Sequence, residues 1–180
     1  MVFIRKKTLV NSEIKALPSP GVNAHEMMCR RAERFLRSNG FPVTLGDGFR
    51  AWNNSGELPD AIGFRNGASC LIECKCSRAD FLADRKKPFR IAPETGLGDW
   101  RFYLSEPGIV TVADLPPGWG LLYLRGRQIL KVFGWPGNAH WLSEKPFKAN
   151  KQAECDFLYS ALRRSLDRIE LPDTMHHVTP

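Results

Sequence analysis

The sequence contains no apolar run of the roughly 20 residues that a membrane-spanning helix requires. Its amino-terminal residues also lack an apolar stretch long enough for a signal peptide. It has five cysteines, an odd number that makes a poor disulfide framework. No glycine-rich nucleotide loop and no Ser-His-Asp motif is present. These absences argue against membrane proteins, disulfide scaffolds, P-loop enzymes and serine hydrolases. They predict a soluble protein of a reducing, cytoplasmic compartment.

The cysteines do not form a zinc motif. Cys74 and Cys76 are separated by one residue, whereas zinc-binding pairs are typically separated by two to four, and no second Cys pair follows. His176 and His177 lie in a predicted tail. Cys70, Cys74 and Cys76 lie an even number of positions apart along one predicted strand, so their side chains project to the same face. They are most simply the apolar face of that strand. We therefore expect no structural zinc and no iron–sulfur cluster.

Size and charge suit a single domain with a polyanionic partner. The 180 residues are 43% hydrophobic and 25% charged, which is ordinary for one globular domain. Lys and Arg number 26 against 19 Asp and Glu, so the formal net charge is +7. Phosphate contacts supply most non-specific affinity for nucleic acids, and a basic chain favours them. Charge alone is a weak indication, because many basic proteins bind no nucleic acid.

Periodicity, caps and turns predict one domain over residues 23–170, between an amino-terminal arm at 1–22 and a tail at 171–180. Asn23 and Ser77 are predicted to cap helices, and Pro88 to stop the second one. The predicted helices cover 24–38, 77–87 and 149–169. The predicted strands cover 41–45, 58–65, 68–76, 100–105, 120–124 and 129–133, with 110–113 as a further short strand or edge piece.

A turn at Asn66-Gly67 between two apolar runs predicts a tight β-hairpin. A two-residue turn fixes the register, so each residue before the turn faces its counterpart after it. Continued to the end of the hairpin, this register pairs Asp60 with Glu73. Directly opposed residues have Cβ atoms about 4.5–5.5 Å apart. Two carboxylates at that distance repel each other, and a divalent cation between them removes the conflict.

Strand alternation places Glu73 and Lys75 on one face, together with Asp60 across the ladder. Taken singly, each would more simply be a loop or surface residue. The apolar neighbours of Glu73 predict a buried strand, however, where charged residues are rarely found without a role. Phosphodiester hydrolysis needs a cation that polarises the phosphoryl oxygen, a bound water and a positive group near the developing charge. The three residues together therefore predict a metal-dependent nuclease.

The motifs also carry a family resemblance. Leu58-Pro59-Asp60, a hairpin and Ile72-Glu73-Cys74-Lys75 resemble the PD-(D/E)xK nuclease superfamily, and the order helix, strand, hairpin, helix over residues 24–90 matches it too. The resemblance implies an α/β (α+β) single domain with a central mixed β-sheet flanked by helices, a restriction-endonuclease-like core. It implies Mg²⁺ or Mn²⁺ bound by Asp60, Glu73 and the backbone carbonyl of Cys74. It places Lys75 at the attacking water.

Superfamily members often add a glutamate from the first helix. Glu26 and Glu33 are seven residues apart and therefore lie on nearly the same helix face. We favour Glu26 as the fourth catalytic residue, because Glu33 is close to the end of the predicted helix. A solvated surface position is the alternative for both.

A narrower similarity follows the Glu-x-Lys strand. The segment from Glu73 to Lys86, with Asp-Phe-Leu-Ala-Asp-Arg-Lys on its helix, is similar to the MmcB-like DNA-repair group within this superfamily. The similarity covers about residues 58–124 and departs at 91–99 and in the carboxy-terminal helix. It implies a nuclease of DNA repair, with restriction and mobile elements as other settings.

Five basic residues cluster just after the predicted catalytic strand: Arg78, Arg85, Lys86, Lys87 and Arg90. They predict a surface that positions a phosphate backbone, the alternative being a solvated basic helix end. DNA is the expected substrate, RNA is an alternative, and a homodimer is left open. Competing hypotheses are a non-catalytic nucleic-acid-binding module on a nuclease fold and a basic protein-interaction factor.

Overall fold

A computed structural model of the chain describes residues 23–46, 48–49 and 53–169. The predicted arm at 1–22 and tail at 171–180 lie outside these residues. None of the helices in the described ranges has the length and apolarity to span a bilayer. The elements, in chain order, are α1 (Ala24–Ser38), β1 (Val43–Gly46), β2 (Ala61–Arg65), β3 (Ala68–Lys75), α2 (Arg78–Asp84), α3 (Pro88–Ile91), β4 (Trp100–Ser105), β5 (Trp119–Arg125), β6 (Gln128–Phe133) and α4 (Lys151–Ile169).

The six strands form one mixed sheet whose spatial order follows the sequence. β1, β2 and β3 pair antiparallel, β3, β4 and β5 pair parallel, and β6 returns antiparallel to β5. A parallel pair needs a crossover connection, and α2 and α3 lie within the one that joins β3 to β4. The predicted α+β domain with a central mixed sheet flanked by helices is confirmed.

Helices cover both faces of the sheet. α1 packs on one face, against a core that includes Cys70, Ile72 and Cys74. α2 and α4 pack on the other face, where Leu71 and Tyr103 belong to a second core. β3 is consequently buried at every position. Cys70 and Cys74 lie on the apolar face of β3 as predicted, whereas Cys76 follows the last residue of the strand and is exposed. Glu73 and Lys75 lie inside the protein.

The β2–β3 hairpin has the predicted register. The ladder runs from Arg65↔Ala68 at the turn to Ala61↔Ile72 at the open end. It stops there, so Asp60 lies one position beyond β2 and outside the strand. The predicted strand from residue 58 is therefore three residues too long, because Leu58-Pro59 leads into the ladder without joining it.

Helix ends follow the predicted caps with one exception. Asn23 Oδ1 accepts a hydrogen bond from the Glu26 N–H at 2.7 Å, and Ser77 Oγ accepts one from the Asp80 N–H at 3.1 Å. The second predicted helix was expected to run to residue 87 and stop at Pro88. Instead α2 ends at residue 84, and Pro88 begins α3, a position where the missing proline N–H costs nothing.

Another difference lies between β4 and β5. The segment 110–113 was predicted as a short strand or edge piece. Residues 112–114 form a turn of 3-10 helix instead, and Val110 makes only an isolated bridge with Pro107. The Asp114 side chain accepts hydrogen bonds from both the backbone and the hydroxyl of Thr111, and such local bonds favour turns over strands.

Gly67 sets the hairpin turn and is open to a direct test. Its φ is +74°, a left-handed conformation that costs a residue with a Cβ about 1–2 kcal/mol. An added Cβ would also lie 3.0 Å from Leu142 Cδ2. We expect Gly67→Ala to lower the free energy of unfolding by about 1–2 kcal/mol in urea titrations. Gly48→Ala, where a Cβ meets open space, should change it by less than about 0.5 kcal/mol. Equal effects would contradict this turn geometry.

Candidate functional site

The candidate site lies at the open end of the β2–β3 hairpin. Glu73 and Lys75 sit on the face of β3 that also carries Leu71, and each side chain is only 3% exposed. The Lys75 ammonium nitrogen lies 3.2 Å from Glu73 Oε2. Asp60, from the other strand of the hairpin, has a side chain 15% exposed. The structure therefore brings the three predicted residues to one end of the sheet.

Asp60 is anchored to the backbone of β3. Its Oδ2 accepts a hydrogen bond from the Cys74 N–H at 2.8 Å, and its Oδ1 lies 3.4 Å from Nε2 of His25 on α1. The N–H and C=O of one strand residue face the same neighbouring strand, so the Cys74 carbonyl is directed to the Asp60 side. The continued register would place Pro59 opposite Cys74, and proline has no N–H to donate to that carbonyl.

Arg90 is the main counter-ion of the buried acids. Its Nη2 lies 3.0 Å from Glu73 Oε1, its Nε lies 2.9 Å from Asp84 Oδ2, and its Nη1 contacts Glu57. The Arg90 side chain is 4% exposed. Sequence reasoning assigned this residue to phosphate-backbone contacts, but the structure places it inside the site. Glu57 is the buried partner of Arg90 that the sequence motifs did not indicate. Its carboxylate also accepts a hydrogen bond from the Leu97 N–H at 2.6 Å.

Asp84 is a second buried carboxylate that the motif did not single out. It lies 3.4 Å from the Lys75 ammonium and 2.7 Å from that of Lys87, and it accepts a hydrogen bond from the Tyr103 hydroxyl at 3.1 Å. Burial raises its pKa, but Arg90 and Lys75 outweigh burial and hold the pKa well below the usual range. The lowered pKa favours the ionised form of Asp84, whose carboxylate lies beside the Lys75 ammonium.

Lys75 is an ammonium ion in this environment. Burial disfavours the charge, yet the carboxylates of Glu73 and Asp84 outweigh it and raise the lysine pKa above its ordinary value. A lysine in this state donates hydrogen bonds and stabilises negative charge. It does not accept a proton near neutral pH, so in the metal-free site Lys75 cannot be the general base.

Glu73 is a buried acid whose pKa is raised into the neutral range. Burial raises the pKa of Glu73 most, and the negative charge of Asp60 raises it further. The positive charge of Arg90 lowers it, and the resulting pKa is about 7. Glu73 Oε1 and Arg90 Nη2 are not aligned for a hydrogen bond. That oxygen is consequently buried without one among the described residues. The Asp60 charge contributes to this rise, although the ladder ends at Ala61↔Ile72, one position before the predicted pair.

These groups fit the hard divalent cation that the resemblance implies. Asp60 and Glu73 offer carboxylate oxygens, Cys74 offers a carbonyl oxygen on the same side, and Mg²⁺ and Mn²⁺ prefer such donors. A cation there would offset the repulsion between the two carboxylates and would give Glu73 Oε1 a partner. The fit rests on the donor set and on that buried oxygen.

The two helix glutamates form ion pairs with arginines of their own helix. Glu26 pairs with Arg30 and Glu33 pairs with Arg37 along α1. The α1 side chain beside Asp60 is His25, one residue before the predicted Glu26. Spacing alone could not find it, because the rotation of α1 about its axis depends on how its apolar stripe packs on the sheet.

The predicted basic cluster is divided by the fold. Arg78 forms an ion pair with Asp114, and Lys87 approaches Asp84. Arg85 and Lys86 are exposed beside the carboxy-terminal end of α2. Together with the burial of Arg90, this leaves Arg85 and Lys86 as the members best placed to reach a long polyanion.

Comparison with known proteins supports the fold. No model of a known protein family matches the chain, and no curated protein matches it. Among solved structures, the chain is similar to a protein of unknown function from Silicibacter pomeroyi. The TM-score is 0.57 and the identity 24%, over 88% of this chain and 99% of that one. A likeness at this identity shows a shared fold and carries no assignment of activity.

Glu73 should make the stability of the metal-free protein depend on pH. Its pKa is about 7 in the folded chain, against 4.5 for an ordinary glutamate. Between these values the folded chain keeps a proton that the unfolded chain releases, so the free energy of unfolding falls as pH rises. We expect a fall of up to about 3 kcal/mol over this interval, measured by urea unfolding in chelator.

The matched variants isolate this contribution. Glu73→Gln cannot titrate, so its stability should change less over the same pH interval. Glu94→Gln removes an exposed glutamate and should keep the wild-type profile. Parallel profiles for wild type and Glu73→Gln would show that Glu73 has an ordinary pKa.

Proposed function

We propose that this chain is a metal-dependent nuclease that hydrolyses phosphodiester bonds in DNA. The observation that carries the proposal is the meeting of Asp60, Glu73 and Lys75 at the open end of one hairpin. The Cys74 N–H holds Asp60 in place there. Buried acids beside a buried lysine are costly for stability, and a catalytic role accounts for their presence on a central strand.

Each residue has a distinct role in the proposed reaction. Asp60, Glu73 and the Cys74 carbonyl would hold Mg²⁺ or Mn²⁺. When bound, the cation supplies polarisation of the phosphoryl oxygen and a lower pKa for a nucleophilic water. Lys75, held as an ammonium by Asp84, donates a hydrogen bond to the attacking water and stabilises the charge that develops on phosphate.

One observation favours a second candidate, a non-catalytic nucleic-acid-binding module. Arg90 and Lys75 both form ion pairs with Glu73, so its negative charge is compensated without a metal ion. In the nuclease, a cation held by Glu73 would compete with Arg90 for that carboxylate, and Arg90 would keep Glu57 and Asp84 as partners. In the binding module, Arg90 stays on Glu73 and added Mn²⁺ has no effect. Calorimetric titration with Mn²⁺ of wild type and Glu73→Gln separates the two, because Glu73 belongs to the proposed magnesium site alone.

Cleavage assays test the catalytic proposal. We expect wild type to cut plasmid or single-stranded DNA with Mg²⁺ or Mn²⁺ and to be inactive in chelator. Asp60→Asn, Glu73→Gln and Lys75→Met should each lower the rate by at least about a hundredfold, since each removes a ligand or a charge acting in the transition state. Glu94→Gln is the matched control and should retain full activity. Equal cleavage by wild type and Asp60→Asn preparations would mean a contaminating nuclease.

DNA binding is tested separately from cleavage. Each phosphate contact adds about 0.9 to the slope of log affinity against log salt. With Ca²⁺ in place of Mg²⁺, the double variant Arg85→Ala/Lys86→Ala should weaken DNA binding and reduce this slope by about 2. The matched pair Arg163→Ala/Arg164→Ala, exposed on α4, should leave the slope unchanged. An equal reduction of the slope in both double variants would contradict the proposal that DNA binds at the end of α2.

The biological setting belongs to the same proposal. All five cysteines are free, which supports a reducing compartment such as the cytoplasm. The MmcB-like similarity supports a role in DNA repair, with RNA as the alternative substrate. Cutting both strands of a duplex would call for a homodimer.

A further inference from the structure

Three side chains known as metal ligands meet on the α1 side of Asp60. His25 and Cys29 are one helical turn apart and so lie on the same face of α1. Asp60 approaches them from the end of the hairpin. One ligand atom from each of the three residues can be chosen so that all lie within 4.8 Å of one another. The cysteine spacing along the sequence predicted no zinc site, and this cluster uses a different set of residues.

The separations are close to those of a tetrahedral zinc centre. Zinc binds imidazole nitrogen and carboxylate oxygen at about 2.0–2.2 Å and thiolate sulfur at about 2.3 Å, which places ligand atoms about 3.4–3.6 Å apart. Nε2 of His25 lies 3.4 Å from Asp60 Oδ1, and Cys29 Sγ lies 3.5 Å from Nδ1 and 3.8 Å from Nε2 of the same ring. Rotation of the His25 and Cys29 side chains would bring one nitrogen, the sulfur and the Asp60 oxygen around one ion.

The donor set distinguishes this cluster from the proposed magnesium site. Thiolate and imidazole favour Zn²⁺ and related transition metals, whereas Mg²⁺ prefers oxygen. Three protein ligands would leave a fourth position for water, the arrangement of catalytic rather than structural zinc sites. An ion can reach the cluster, since the His25 side chain is 37% exposed and Cys29 lines a cavity of about 200 Å³.

We propose that His25, Cys29 and Asp60 bind one Zn²⁺ ion. Asp60 presents its two oxygens in different directions, Oδ2 to the Cys74 N–H and Oδ1 to His25. It therefore belongs both to this zinc site and to the candidate catalytic centre. The other two ligands, His25 and Cys29, come from α1 and take no part in the proposed reaction, so zinc binding can be measured apart from nuclease activity.

Cobalt provides the test, because Co²⁺ takes the place of Zn²⁺ and shows a thiolate-to-metal charge-transfer band. The full-length chain is stripped of metal, kept reduced and titrated with Co²⁺ alone. We expect this band and the visible spectrum of a tetrahedral ion, saturating at one ion per chain and abolished by Zn²⁺. Cys29→Ser should remove the band. His25→Gln should weaken Co²⁺ binding by at least about tenfold.

Matched variants guard against other thiols and against misfolding. Cys155→Ser, an exposed cysteine of α4, and His140→Gln, an exposed histidine, should both keep the wild-type titration. Cys29 is buried, so circular dichroism checks that its variant folds. His25→Gln, at a part-exposed position, tests the site even if Cys29→Ser does not fold. An unchanged titration in His25→Gln, or loss of the band in Cys155→Ser, would overturn the proposal.

Glu73→Gln separates this inference from the proposed function. It removes a ligand of the magnesium site only, so the cobalt band should persist while DNA cleavage is lost. If wild type binds Co²⁺ in this way but cuts no DNA, the zinc site stands and the nuclease proposal fails. If wild type cuts DNA with Mg²⁺ but shows no thiolate band, the zinc site is refuted and the nuclease proposal stands.

Discussion

Glu73 carries a carboxylate on a strand whose two faces are both covered, and the surrounding structure is arranged around that charge. Removing an ion from water costs several kcal/mol unless partners replace the lost hydration. Arg90 and Lys75 supply those partners, and Glu57 and Asp84 balance them in turn. The Arg90 guanidinium also lies 4.8 Å from the ring centroids of Phe89 and Trp119, which stabilises a desolvated cation further. α3 is too short to be stable alone, so contacts of this kind hold it in place.

The same network prepares the site and restrains it. Asp84 keeps Lys75 charged and directed at Glu73, which is the state needed to stabilise negative charge on a substrate. Arg90 neutralises Glu73 from the other side, and a cation that binds Glu73 must compete with that contact. Among the described residues, Asp60 has no arginine or lysine partner of this kind, because its contacts are with the Cys74 N–H and with His25. In the proposed nuclease, a cation would therefore meet Asp60 first, because it is the more exposed of the two acids.

Much of the fold and part of the site were predictable from local rules. Asn66-Gly67 specifies the turn, the turn specifies the register, and the register brings Asp60 to the level of Glu73. Strand β4 and helix α1 were predicted with their observed bounds, since periodicity and caps agree there. The end of α2 was not, because Pro88 reads equally well as a stop or as the first residue of a new helix. The rotation of α1, which presents His25 in place of Glu26, depends on packing that no local pattern encodes.

The sequence by itself determined the hairpin register, the shared face of Glu73 and Lys75 and the apolar face of the β3 cysteines. These follow from the period of two in a strand and from the geometry of a two-residue turn. Only the tertiary structure decided which charges meet: it buried Arg90 against Glu73, placed Asp84 beneath Lys75 and brought His25 and Cys29 to Asp60. Electrostatic contacts between residues far apart in sequence depend on how helices dock on the sheet. That docking is set by the whole core, and so the partners of each charged residue cannot be read from its neighbours in the chain.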